Sequence, residues 1–144
     1  MKRIITFAAA VILIGIATGA AADMKGIGLG AGVFDGDFGV HARKDFWLGG
    51  EISQISAQGG VYFQNKTTFR LDADYHFIVN PDNPGRFYPL VGLNLSFNSS
   101  SLKLGANAGG GLNFQLTESL QAFAEAKFIF SSWDGLAIVG GIYF

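Results

Sequence analysis

Thr68-Phe69-Arg70-Leu71-Asp72-Ala73-Asp74-Tyr75-His76-Phe77-Ile78-Val79 is the stretch on which the fold turns. Phe69, Leu71, Ala73, Tyr75, Phe77 and Val79 take alternate positions, and Thr68, Arg70, Asp72, Asp74 and His76 fill the places between. A period of two sends successive side chains to opposite faces of a β-strand. One face of this strand meets an apolar medium, and the other is wet or salt-bridged.

The same split continues toward the C-terminus. After the turn Asn80-Pro81-Asp82-Asn83-Pro84-Gly85, the series Phe87, Pro89, Val91, Leu93, Leu95, Phe97 opposes Tyr88, Leu90, Gly92, Asn94 and Ser96. Residues 102–115 set Leu102, Leu104, Ala106, Ala108, Leu112 and Phe114 against Lys103, Asn107, Asn113, Gln115 and glycines. Residues 120–130 set Leu120, the alanines 122, 124 and 126, Phe128 and Phe130 against Gln121, Phe123, Glu125, Lys127 and Ile129. The last run sets Leu136, Ile138, Gly140, Ile142 and Phe144 against Ala137, Val139, Gly141 and Tyr143. Toward the N-terminus the pattern is less regular, with runs at 26–33, 38–43 and 46–53. These make eight strands, joined near 34–37, 44–45, 56–66, 80–86, 98–101, 117–119 and 131–135.

Two all-β architectures alternate in this way. A soluble lipocalin-like barrel turns its apolar face inward, whereas an outer-membrane barrel turns that face to lipid and keeps a polar lumen. Three features favour the second. The polar face gathers Arg43, Arg70, Lys103 and Lys127 with Glu51, Asp72, Asp74 and Glu125, four charges of each sign, alongside His76. A narrow eight-stranded interior tolerates charges only when they are paired, and its glycines leave room for them. Aromatic residues also gather at strand ends, in two girdles. Phe46, Trp47, Phe77, Phe87, Tyr88, Phe114, Tyr143 and Phe144 form one, and Phe34, Tyr62, Phe63, Phe97, Phe130 and Trp133 the other. Finally, strands of about 9–11 residues cross a bilayer when tilted. The fold class expected is therefore all-β: an eight-stranded antiparallel up-and-down transmembrane β-barrel.

The N-terminus reads as an export signal. Lys2 and Arg3 precede the uncharged run Ile4–Ala17, and Ala20-Ala21-Ala22 stand before Asp23. That order marks a signal peptide cleaved after Ala22; the apolar run falls short of the about 20 residues of a spanning helix. The expected domains are a signal peptide, 1–22, and a barrel domain, 23–144. Cleavage leaves eight basic against eleven acidic residues, a net charge of −3 that gives no footprint for nucleic acid. The chain has no cysteine, so neither a lipidated Cys nor a disulfide framework is available.

With these residues in place the chain resembles a known class. Gly141-Ile142-Tyr143-Phe144 looks like the C-terminal assembly signal of bacterial outer-membrane proteins, although Val139 stands where glycine is usual. Arg86-Phe87-Tyr88-Pro89-Leu90-Val91-Gly92-Leu93 and the stretch from Ala108 to Leu120 resemble the fifth and sixth strands of the small OmpA/OmpX-like, opacity-type barrel family (porin superfamily). The resemblance runs over residues 24–144. It implies a Gram-negative outer-membrane location with both termini periplasmic. The connections at 44–45, 80–86 and 117–119 would then be periplasmic turns, and the other four would face outside. It implies as partners outer-membrane lipid and lipopolysaccharide, with the barrel-assembly machinery and periplasmic chaperones during biogenesis. With no domain following Phe144, anchoring to the cell wall is not expected.

No catalytic, cofactor-binding or metal residues are assigned. His76 with Asp72 and Asp74 is the best local cluster, and some eight-stranded barrels are lipid A-modifying acyl hydrolases using His, Ser and an acid. In the deacylase type a Ser follows the His by two residues on the lipid side; here that place is Ile78, and His76 shares its face with Arg70. An interior ion network is the reading adopted for Arg43, Glu51, Arg70, Asp72, Asp74, His76, Lys103, Glu125 and Lys127. His41 and His76 on different strands are a poor metal signature, and Gly26–Gly32 lacks a nucleotide-loop context. The expected function is a structural or surface role in the outer membrane without a large open pore and without catalysis. Binding or adhesion through the 56–66 loop is the alternative, followed by the lipid A-modifying enzyme.

Overall fold

The computed structural model describes residues 26–63, 66–132 and 134–144. The expected signal peptide and Trp133 lie outside them. The strands are β1 (Ile27–Phe34), β2 (Asp37–Trp47), β3 (Ser53–Tyr62), β4 (Thr68–Phe77), β5 (Gly85–Phe97), β6 (Leu102–Gln115), β7 (Gln121–Phe130) and β8 (Gly135–Tyr143). Each pairs antiparallel with its neighbour in sequence, and β1 also pairs with β8, so the sheet closes into a barrel without edges. Phe144 completes the seam: its N–H donates to the Ile27 carbonyl, and its carbonyl accepts from Gly26 N–H, both at 3.1 Å.

The expected eight strands are present, but the second connection, expected at 44–45, lies elsewhere. Lys44 and Asp45 sit inside β2, which runs on through Phe46 and Trp47. The chain reverses instead at residues 48–52, where Gly49 and Gly50 take φ of 83° and 100°. Glycine alone enters that region without steric cost, so the Gly-Gly pair makes the turn. The segment 56–66, expected as a loop, is largely strand: β3 pairs with β2 from Gln54 to Tyr62. Its alternation is muted, because Gln54, Ser56 and Gln58 face inward while small residues such as Ala57 and Gly59 face outward. At the other end of β1, Asp35 (φ 49°) and Gly36 (φ 90°) form a two-residue hairpin turn, as Asp-Gly favours.

The outer wall is apolar all round, with Leu93 60% and Leu104 71% exposed. Among the described residues, Lys44 near the termini end of β2 is the one charged side chain at an outward strand position.

Inside, register places large rings over glycines. Gly28 lies opposite Tyr143, Gly30 opposite His41, Gly39 opposite Tyr62, Gly111 opposite Tyr88 and Gly141 opposite Phe123. Each ring lies across the hollow left by its partner's missing Cβ. A Cβ on Gly111 would meet the Tyr88 ring at 2.5 Å. Gly111→Ala is therefore expected to cost about 1–3 kcal/mol by overpacking. Gly59→Ala, whose Cβ would meet only Leu71 at 3.5 Å on the outer wall, should change stability by no more than about 0.5 kcal/mol. Urea unfolding midpoints of the two refolded variants measure the difference.

Candidate functional site

The lumen holds the charged side chains that alternation turns inward. Arg43 on β2 reaches across to Glu125 on β7, Nη1 to Oε2 at 3.0 Å, and also grips Asp45 through Nε and Nη2, both at 3.2 Å. Its guanidinium lies 4.4 Å from the centre of the Phe123 ring. Lys127, two residues along from Glu125, places Nζ 2.6 Å from Asp74 Oδ2, 3.3 Å from Glu125 Oε1 and 3.7 Å from Asp72 Oδ2. Arg70 pairs with Asp72 at 3.1 Å and donates to the Tyr62 hydroxyl at 3.0 Å. The groups form one chain of contacts along the barrel: Asp45, Arg43, Glu125, Lys127, Asp74 with Asp72, and Arg70.

Neutral groups supply further hydrogen bonds to these charges, as burial in a narrow lumen favours. Asn107 Nδ2 donates to Asp72 at 2.9 Å and Asp74 at 2.7 Å, and Asn94 donates to Asn107 at 2.7 Å. Tyr88 donates to Glu125 at 3.1 Å, and its ring stacks on His76 with centroids 4.3 Å apart. Gln54 lies 3.0 Å from His76 Nδ1 and donates to Asp45 at 3.3 Å, and Tyr143 donates to Asp45.

Of the nine residues expected to share this network, Arg43, Arg70, Asp72, Asp74, His76, Glu125 and Lys127 are brought together. Lys103 lies on the inner face of β6 opposite Ser96, half-buried and toward the far end. Glu51 does not belong. It is exposed in the 48–52 turn, because β2 takes Phe46 and Trp47 and β3 begins only at Ser53. Asp45 takes a place in the network that the misplaced turn hid. The girdle assignment of Phe34, Tyr62, Tyr88 and Tyr143 is corrected as well: all four are buried inside the barrel. Phase is the signal that separates them, since each alternates with outward-facing neighbours. In the terminal tetrapeptide Gly141 and Tyr143 turn inward, and Ile142 turns outward.

His76 is fully buried against Tyr88 inside the lumen. Ile78, which takes the place of the deacylase-type serine, is buried on the same side. Neither reaches the outer wall, where an acyl chain would lie. Among the described residues no group of three His, Cys, Asp or Glu side chains is arranged to hold a metal.

No protein-family model matches the chain, and no curated protein matches it. Solved structures do. The chain is similar to the N-terminal β-barrel domain of Pseudomonas aeruginosa OprF, with 22% identity over 81% of this chain and 92% of that one, at a TM-score of 0.61. The fold is that of the small eight-stranded outer-membrane barrels. A de novo designed transmembrane β-barrel is similar at 18% identity and a TM-score of 0.54, covering 81% of this chain and 91% of the design. The Yersinia pestis outer membrane protein Ail, determined in a phospholipid bilayer nanodisc, is similar at 13% identity and a TM-score of 0.54, covering 83% and 98%.

Proposed function

We propose that this chain is an integral outer-membrane barrel with a structural or surface role and no large open pore. The observation that carries the reading is the distribution of charge: apart from Lys44 the outward strand positions of the described residues carry no charge, while buried ion pairs occupy the lumen. In water this arrangement would expose a continuous apolar surface far larger than a monomer tolerates; in a bilayer it is the stable one, and closure satisfies every strand's backbone.

Side chains cluster at two levels of the lumen, which supports the absence of a large pore. Phe34, Tyr62, Ile129 and Ala137 cluster toward the far end, with Arg70 lying over the Phe34 and Tyr62 rings. Ile78, Tyr88 and Leu90 cluster toward the end that carries the termini. Between them runs the ion network. The export signal at 1–22, periplasmic termini, contact with lipopolysaccharide and delivery by the assembly machinery through residues 141–144 belong to the same proposal. A role without catalysis fits a His76 that faces the lumen rather than lipid.

Residues 23–144 refolded in detergent should migrate differently on a gel before and after boiling, and should partition into vesicles. Full solubility without detergent would remove the membrane reading. In planar bilayers the refolded protein should show no stable conductance of porin size; sustained large openings would overturn the closed-lumen half of the proposal while leaving the barrel intact.

A further inference from the structure

The barrel end that carries Gly26 and Phe144 opens into a cavity of about 140 Å3, lined by Asp45, Trp47, Gln54, Arg86, Asn113 and Tyr143 among others. Two opposite charges face this space without meeting. Arg86 lies on β5 directly across from Asn113 on β6, and among the described residues no carboxylate lies within ion-pair distance of its guanidinium. Asn113 Oδ1 beside it is buried, with no hydrogen-bond donor among the described groups. On the opposite wall stands Asp45. Among the described residues its ion pair is with Arg43, which is shared with Glu125. Negative charge at Asp45, the end of the ion chain nearest the mouth, is therefore only partly offset.

We propose that this mouth binds a small zwitterion, a molecule carrying an ammonium and an acid group a few bonds apart. Its acid group pairs with the Arg86 guanidinium, which presents a planar fork of donors suited to carboxylate or phosphate. Its ammonium, which offers three donors, spans Asp45 and the open acceptor Asn113 Oδ1. Among the described residues Asp45 Oδ1 accepts from Arg43 Nε alone, whereas Oδ2 already accepts from Arg43, Gln54 and Tyr143. One bound molecule thereby gives Arg86 an anion and Asp45 a second cation. A cavity of about 140 Å3 accepts a ligand the size of a single amino acid or a phosphoethanolamine group. A singly charged ligand satisfies one wall and leaves the other as it was.

Trp47 lines the cavity and reports on it. The chain has two tryptophans, so Trp133→Phe leaves Trp47 as the single fluorophore. Refolded in detergent, this protein is titrated with L-alanine, O-phosphoethanolamine, acetate and methylammonium. Expected is a saturable change in emission with L-alanine or phosphoethanolamine at a Kd on the order of 1 mM, at least about tenfold tighter than with acetate or methylammonium. Whichever of the two zwitterions binds more tightly identifies the acid as carboxylate or phosphate. Arg86→Gln should abolish saturation while keeping the heat-modifiable migration of the folded barrel, since Arg86 holds no described partner. Saturation-transfer NMR of alanine on the unsubstituted protein reads the same event without the Trp133 change. Acetate binding as tightly as alanine, an Arg86→Gln response equal to the parent's, or no saturable signal by either method would overturn the proposal.

Discussion

Lys127→Met should lower the stability of the folded barrel by about 3–5 kcal/mol, the usual cost of stripping one partner from a buried ion pair. Lys127 is fully buried, and its ammonium lies 2.6 Å from Asp74, 3.3 Å from Glu125 and 3.7 Å from Asp72. Methionine fills much the same volume, so little of the loss comes from packing. What remains is a set of carboxylates, with Asp72 and Asp74 bridged by the single amide of Asn107. Adding Asp74→Asn removes one stranded charge and should return part of the loss, giving a coupling of at least about 1 kcal/mol in the double-mutant cycle. Urea unfolding of the four proteins in lipid vesicles supplies the numbers. A cost for Lys127→Met below about 1 kcal/mol is what a solvated, screened pair shows, and it would mean that water penetrates the lumen freely.

Leu93→Arg tests the outer wall with an effect of comparable size. Leu93 lies midway along β5, pairs with Ala73 and Ala106, and is 60% exposed. If that exposure is to hydrocarbon, arginine there costs about 2–4 kcal/mol, falling to about 0–1 kcal/mol near the interfaces. Leu102→Arg, at the far end of β6, should therefore be nearly silent. In a water-soluble barrel both substitutions would be silent, because an exposed leucine makes few contacts to lose. The comparison in vesicles isolates the medium around the barrel, since neither change touches the lumen.

Strands β4 to β8 are legible in the sequence because large apolar and polar residues alternate there without interruption. Between residues 44 and 66 the pattern weakens, and the sequence reading divides the chain at Lys44-Asp45 rather than at Gly49-Gly50. The inner face of β3 is made of Gln and Ser and its outer face partly of Ala and Gly, so the two faces differ little in hydropathy. The glycine pair carries the signal that was available, since only it enters the positive-φ region of the turn. Placing Glu51 in the network and Asp45 outside it follows from that one displaced turn.

Which residues point inward is therefore a property of the sequence: a period of two assigns faces wherever residue types contrast, and it puts Arg43, Arg70, Asp72, Asp74, Glu125 and Lys127 in one lumen. Which of them meet is not. Arg43 and Glu125 are 82 positions apart, on strands that are not neighbours, and Lys127 and Asp74 are 53 apart on opposite walls. Their contacts depend on the closure of β1 against β8 and on the stagger that sets each side chain's height in the barrel. The same holds for the rings that fill the lumen: a glycine offers space, but only the cross-strand register decides that Tyr88 lies over Gly111 and Tyr62 over Gly39. Alternation sorts side chains between outer wall and lumen one strand at a time, whereas partner choice is a property of the closed sheet.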